Sequence, residues 1–338
     1  MLKKTLIFSG NANSELAQEI ARRMGTRVSN ALVDKFKNEE CRIEIKDNVR
    51  GSEVFVVQST CKAPNAQSVN DSLIELLIMI DALRRASADR ITAVVPYYGY
   101  AKQDKKSKGR LPISAKAVAN MISAAGAARL VTLDLHAAQV QGFFDIPVDN
   151  LLAAPALCTY LRNRSLDGNR VVVVSPDAGG VPRAEWFAKR LKSTLAIVIK
   201  RRPEPDVSEV SAIVGDISGK IAIIADDMIT TGGTLIKAAE ALLARGATEV
   251  YACATHGVFA GDAIAVLDDS AIRKIVVTDT IPHDRSLLPT KFEVLPAAPI
   301  LADALKRIST NRSVSALFDE EMSPTREASA MLYEKAFA

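Results

Sequence analysis

The chain has 338 residues, 48% hydrophobic and 24% charged, with 43 Lys plus Arg against 39 Asp plus Glu and a formal net charge of +4. That balance excludes a disordered chain, a collagen and a coiled coil, and the small basic excess does not by itself imply a nucleic-acid partner. Four scattered cysteines at 41, 61, 158 and 253 give neither a zinc spacing nor a disulfide scaffold.

In chain order, β-branched runs predict strands at Thr5–Phe8, Glu53–Gln58, Arg90–Val95, Arg129–Asp134, Arg170–Ser175, Thr194–Ile199, Lys220–Ala225, Glu249–Thr255 and Lys274–Thr278. Helical spacing lies between many of them, as over Asp71–Arg85, Ser114–Ala125 and Thr234–Arg245. Such alternation predicts an α/β fold of βαβ units around mostly parallel sheets. Runs such as Val171–Val174 suit strands covered on both faces. Ser114–Asp134, shifted by 120 positions, echoes Thr234–Ala254 as helix, Gly-Ala turn and strand. The echo reads as two domains of one fold, with a boundary near Pro147–Pro155. Ser323-Pro324 opens a candidate helix in a compositionally distinct tail. No run approaches the roughly 18 apolar residues of a membrane helix, so no membrane partner and a cytoplasmic location are expected.

The segment with the clearest chemistry is Lys220–Thr234. A hydrophobic strand ends in Asp226 and Asp227, and Thr230, Thr231, Gly232, Gly233 and Thr234 lead into a helix. Glycines at a strand-to-helix turn let backbone N–H groups converge on an anion, and the helix dipole assists. Paired carboxylates repel phosphate but accept hydrogen bonds from vicinal hydroxyls, so the combination spells a sugar phosphate. Neither G-x-x-x-x-G-K-S/T nor G-x-G-x-x-G occurs.

DDMITTGGT resembles the PRPP-binding loop of type I phosphoribosyltransferases. With it, in order, stand Asp47-Asn48-Val49-Arg50-Gly51, QSTC (58–61), DALRRASADRITAVVPYYGYAKQD (81–104), DLHAAQVQGFFDIPVDN (134–150), VVSPDAGGVPRA (173–184), KRRP (200–203) and DTIP (279–282). Together they resemble the ribose-phosphate pyrophosphokinase (PRPP synthetase) family, class I-like, from about residue 5 to 317.

The resemblance implies two tandem type I phosphoribosyltransferase-like domains, each a mostly parallel sheet flanked by helices. Residues 1–150 would form the nucleotide side with a mobile basic loop at 100–112, residues 151–317 the ribose 5-phosphate side, and 318–338 a helical extension. The implied reaction moves the pyrophosphoryl group of ATP to the 1-hydroxyl of ribose 5-phosphate, giving PRPP and AMP for nucleotide, histidine and tryptophan biosynthesis. Mg²⁺ is the implied cofactor and a homohexamer the implied assembly. Carried over residue by residue, Lys200 is catalytic, and Arg202, Asp226 and the 230–234 loop hold ribose 5-phosphate. Asp227 is added on chemical grounds as a ribose or metal contact. Phe36, Asn38, Glu39, Glu40, Lys102 and Gln103 fall at ATP-contacting positions, and His136 with Asp177 at the Mg²⁺·ATP site. One imidazole and one carboxylate suit Mg²⁺, which keeps waters and takes substrate phosphates.

The chain departs from the family pattern at several of these places. Phe36–Glu40 stands where F-S-D-G-E is usual, so Asn38 and Glu39 replace Asp and Gly. Lys102 replaces Arg, Ala138 replaces Glu, Pro182 replaces Val and Thr230 replaces Asp. The departures leave an alternative open, a weakly active or non-catalytic nucleotide-binding paralogue that regulates an active synthetase. A phosphoribosyltransferase acting on a base and a nucleic-acid-binding module are further, weaker alternatives.

Overall fold

A computed structural model describes residues 4–65, 67–204 and 207–318, the backbone alone over 200–204 and 207–210. The helix expected in the tail lies outside the described residues. The chain forms two compact units. One runs to Leu152 and takes in Thr280–His283 and the described residues from Pro296 onward; the other comprises the described residues of Ala153–Asp279 and Asp284–Leu295.

The first unit holds β1 (Thr5–Ser9), α1 (Ser14–Arg23), β2 (Ala31–Lys35), β3 (Cys41–Ile45), β4 (Glu53–Val57), α2 (Val69–Arg85), β5 (Arg90–Val95), α3 (Ser114–Ala125), β6 (Arg129–Leu133) and β7 (Val148–Leu151). Its sheet has the order β1-β4-β5-β6-β7, all parallel. Leu6, Phe8, Val54, Val56, Ala93 and Val95 pack with Leu76, Ile80 and Leu83 of α2 and with Val118 and Ile122 of α3. The alternate residues Ile7, Phe55, Val57, Val94 and Val131 are equally buried, as a strand's period of two requires of a sheet covered on both faces. A capping box between Ser68 and Asp71 starts α2.

The second unit holds α4 (Ala154–Asn163), β8 (Val171–Ser175), α5 (Val181–Leu191), β9 (Thr194–Glu204), β10 (Val207–Val214), β11 (Ile221–Ile229), α6 (Gly233–Ala244), β12 (Glu249–Gly257), α7 (Ala263–Asp269), β13 (Lys274–Thr278) and β14 (Phe292–Leu295). Its strands run in the order β10-β9-β8-β11-β12-β13-β14, with β10 antiparallel to its neighbour and the rest parallel. The chain leaves β8 toward β9 and β10, then returns to the other side of β8 as β11. A reversal of this kind opens a crevice outside the carboxyl ends of the two central strands.

All nine expected strands are present, and β11 reaches four residues beyond its expected end, so Asp226 and Asp227 lie on it. The hairpin β2–β3 and strands β7, β10 and β14 were not anticipated. The hairpin strands ALVDK and CRIEI are half-exposed and mixed in polarity, and β7 and β14 have four residues each. The echo falls on α3–β6 and α6–β12, each helix leading into a strand parallel to the one before it. The expected extent of the second domain, 151–317, differs from the observed one. Residues 280–283 and the final helix, α8 (Ala298–Ser309), belong to the first unit, where α8 lies against α1. Each helix has an apolar stripe to bury, Leu301, Leu305 and Ile308 on one and Leu16 and Ile20 on the other.

Candidate active site

In the second unit the site grows from the ends of β8 and β11. Burial, reinforced by the neighbouring Asp227 carboxylate, pushes the Asp226 carboxyl up to about 7. Asp227 is buried and its N–H donates to Asp226 Oδ1 at 2.9 Å. Arg183 Nη1 stands 3.6 Å from Oδ1 of each aspartate. That arginine was missed in the sequence. A signal was there, because a cation in the first turn of a helix opposes the helix dipole and needs a counter-charge. On the other lip of the crevice, Asp177 follows β8 and accepts from the Gly180 N–H at 2.9 Å ahead of α5. Pro182 occupies the first turn of α5, where a missing N–H costs nothing.

The 230–234 loop is held from beneath. The Ile229 carbonyl accepts from Val258 and Phe259 at 2.9 and 3.1 Å, and the Thr230 carbonyl from Ala260 at 2.8 Å. Gly232 has φ +79°, and a Cβ there would stand 2.7 Å from Leu267 Cγ. Both the left-handed backbone and the close approach demand glycine. Gly232 is also the N-cap of α6, and no side chain caps that helix. Thr231, Gly233 and Thr234 are exposed. An uncapped N-terminus with an exposed glycine turn presents N–H groups and the positive end of a dipole to an anion. Lys200 and Arg202 lie on β9, Lys200 opposite Val210; their side chains are outside the described part of the structure.

In the first unit, Phe36–Glu40 forms the turn of the β2–β3 hairpin. The Phe36 N–H donates to the Glu40 carbonyl at 2.8 Å, and Glu40 N–H to Asn38 Oδ1 at 3.4 Å. Glu39 has φ +69°, which gives a physical reason for the family's usual glycine. Phe36 is 50% exposed, with the Arg42 guanidinium 5.6 Å from its ring centre, and a shallow depression is lined by Phe36, Lys37, Asn38 and Glu40.

Lys102 and Gln103 are exposed in the segment between β5 and α3. Gln103 ties that segment to the helix. Its carbonyl accepts from Ala115 N–H at 3.2 Å and its Oε1 from the Ser114 hydroxyl at 2.5 Å. Just past β6, Asp134 adopts φ +38° and is followed by half-buried His136. Left-handed backbone on a non-glycine residue at a strand end is a feature associated with functional sites. His136 belongs to the first unit and Asp177 to the second. Among the described residues no group of three or more His, Cys, Asp or Glu could hold a metal ion. The Asp177 carboxylate is an oxygen donor of the kind Mg²⁺ takes alongside substrate phosphates and waters.

Two α/β units, one with a phosphate-ready glycine turn beside paired carboxylates at a topological switch point, define a sugar-phosphate enzyme of the phosphoribosyltransferase-like class. Residues 5–126 match the model of the N-terminal domain of ribose phosphate pyrophosphokinase, and 205–319 that of the phosphoribosyl synthetase-associated domain. The chain is 54% identical over 312 residues to a ribose-phosphate pyrophosphokinase of Caldanaerobacter subterraneus subsp. tengcongensis, covering 92% of this chain and 97% of that one. It is 52% identical to the Agrobacterium fabrum ribose-phosphate pyrophosphokinase, covering 93% and 99%. The crystal structure of phosphoribosylpyrophosphate synthetase from Mycobacterium smegmatis matches with a TM-score of 0.84 at 41% identity, over 91% of this chain and 100% of that one. The chain belongs to the ribose-phosphate pyrophosphokinase family.

Proposed function

We propose that this chain transfers the β,γ-pyrophosphoryl group of ATP to the 1-hydroxyl of ribose 5-phosphate, giving PRPP and AMP. The carrying observation is the uncapped N-terminus of α6 behind the glycine turn, on the strand that bears Asp226 and Asp227. The 5-phosphate meets the N–H groups of 232–234 and the threonine hydroxyls, while the two aspartates accept from the ribose hydroxyls. Arg183 holds the aspartates in place and offsets their mutual repulsion.

ATP is assigned to Phe36, Asn38, Glu39, Glu40, Lys102 and Gln103, and its Mg²⁺ to His136 and Asp177. When bound, the metal neutralises charge on the phosphates. The anomeric oxygen forms a bond to the β-phosphorus as the bond from that phosphorus to the α,β-bridging oxygen breaks. AMP departs with the electron pair and the hydroxyl proton is released. Lys200 and Arg202, two positions apart on β9, supply positive charge to the transferred group and to the sugar phosphate. The exposed basic segment from Lys105 to Arg110 covers the nucleotide and excludes water, which would otherwise hydrolyse it. The enzyme is assigned to the cytoplasm; no helix among the described residues is long and apolar enough to cross a membrane. Its proposed assembly is a homohexamer, which light scattering on the purified protein tests.

Phosphorus NMR of the protein with ATP, ribose 5-phosphate and Mg²⁺ tests the reaction. AMP and PRPP must appear together and only with the sugar present. ADP as the nucleotide product would place the attack at the γ-phosphorus and overturn the mechanism. Absence of any turnover would overturn the catalytic assignment.

A further inference from the structure

Behind the carboxyl ends of β1 and β4 lies a polar cluster, buried at Glu75 and Gln58 and exposed at Asn11, that touches none of the residues assigned above. Glu75, on α2, is 3% exposed. Its Oε1 accepts from the Asn11 backbone N–H at 2.7 Å and from Gln58 Nε2 at 2.7 Å, and its Oε2 from Asn11 Nδ2 at 2.9 Å. Gln58 is oriented by its own contacts, Nε2 donating to the Ser72 carbonyl at 3.2 Å and Oε1 accepting from Ala12 N–H at 3.1 Å. Space is filled as tightly as the polar groups are matched. A Cβ on Gly10 would stand 2.4 Å from Gln58 Oε1.

A carboxylate this deep costs folding free energy unless donors surround it, and three donors do so here. The cluster reaches outward through Asn11, whose carbonyl accepts from Asn65 Nδ2 at 3.2 Å. Asn11 Nδ2 also reaches the Val33 carbonyl at 3.1 Å. Val33 is the central residue of β2 and pairs with Ile43 of β3. A second, exposed tie joins Lys35 Nζ of the hairpin to Asp71 Oδ1 of α2 at 3.3 Å. Beyond Lys35 comes the Phe36–Glu40 turn.

A two-stranded hairpin is marginally stable alone and takes its position from what it packs on. We infer that the Glu75–Asn11–Gln58 cluster sets the pose of the β2–β3 hairpin and thereby the affinity for the nucleotide at its turn. The three are positioning residues, acting through the Val33 carbonyl. The inference rests on the assignment of the Phe36–Glu40 turn to ATP.

The test compares Asn11→Ala, Glu75→Gln and Phe36→Ala with the unaltered enzyme, by steady-state kinetics and amide hydrogen exchange. Asn11→Ala removes the tie to Val33. Glu75→Gln keeps the shape but turns an acceptor into a donor facing donors. Both are expected to raise KM for ATP about tenfold, with kcat within about twofold and KM for ribose 5-phosphate unchanged. Both should speed exchange of the 31–45 amides while leaving β8 and β11 protected, which separates repositioning from general unfolding. Unchanged exchange over 31–45 in Asn11→Ala overturns the inference, whatever the kinetics. If Phe36→Ala raises KM for ATP but Asn11→Ala does not, the inference falls and the turn keeps its assignment. If Phe36→Ala leaves KM for ATP unchanged, the turn does not read the nucleotide and both fall together. Should Glu75→Gln fail to fold, Asn11→Ala alone decides, since it leaves the carboxylate its backbone and Gln58 donors.

Discussion

The two halves of the internal echo differ at one junction. β11 passes to α6 through residues 230–232, and β5 passes to α3 through residues 96–113. The short connection is rigid by construction, its carbonyls bonded to 258–260 and its glycine wedged against Leu267. The long one is anchored over its first half only. Gly99 N–H donates to Thr60 Oγ1 at 2.6 Å, Tyr98 Oη to the Ala115 carbonyl at 2.8 Å, and Gln139 Nε2 to Asp104 Oδ2 at 3.2 Å. Residues 105–112, with Lys105, Lys106, Lys108 and Arg110, are exposed, and among the described residues they make no hydrogen bond or ion pair. One frame thus carries two kinds of connection. A short turn has its N–H groups set before the anion arrives. Fixing an exposed connection that lacks such bonds would cost about 1–2 kcal/mol of backbone entropy per residue.

The contrast makes the carboxylates beside the short turn the most sensitive place in the molecule. Asp226→Asn is expected to lower kcat/KM for ribose 5-phosphate by about 100-fold or more, read from initial rates with the sugar varied. The same substitution has the opposite effect on stability. The folded carboxyl holds its proton up to about 7, whereas an unfolded aspartate loses it near ~3.9. Stability from this group is therefore complete below about pH 4 and is lost as pH rises through about 7. Thermal melts of the unliganded protein should show Asp226→Asn more stable than the parent by about 1–3 kcal/mol at pH 8, with the gap closing toward pH 4.

A pair of identical changes separates the junctions directly. Gly232→Ala must strain a left-handed backbone and displace Leu267, and is expected to cost about 2–4 kcal/mol in urea unfolding and to weaken sugar-phosphate binding. Gly109→Ala meets nothing within 4 Å and has no positive φ to strain, so its stability should change by less than about 0.5 kcal/mol. A loss of more than that would show the long connection to be built as tightly as the short one. Gln103→Ala removes the acceptor of the Ser114 hydroxyl at the start of α3 and should cost about 0.5–1 kcal/mol in the same assay. Smallest is a gain. Glu39→Gly relieves φ +69° in the hairpin turn and should add about 0.5 kcal/mol.

Much of the structure around the 230–234 turn was legible in the residues themselves. An apolar run, two acids, a Thr-Gly-Gly-Thr turn and an amphipathic stretch are contiguous, and each follows from local periodicity or turn chemistry. The 36–40 turn was assigned through resemblance alone, and the hairpin that carries it escaped notice because its strands are short and polar on one side. Arg183, on α5, escaped because its partners stand on β11, brought beside it by the reversal of chain direction after β10.

Local pattern was enough to decide the class, nine of the strands, the echo of one unit in the other and the glycine turn that follows β11. Tertiary structure alone decided that β10 runs antiparallel at the sheet edge, that α8 closes the first unit against α1, and that Asn11, Gln58 and Glu75 meet in one hydrogen-bonded cluster. The physical reason is range. Helix period, strand alternation and turn chemistry are written in neighbouring residues, whereas strand partners and buried polar contacts depend on which distant surfaces lower the free energy by meeting.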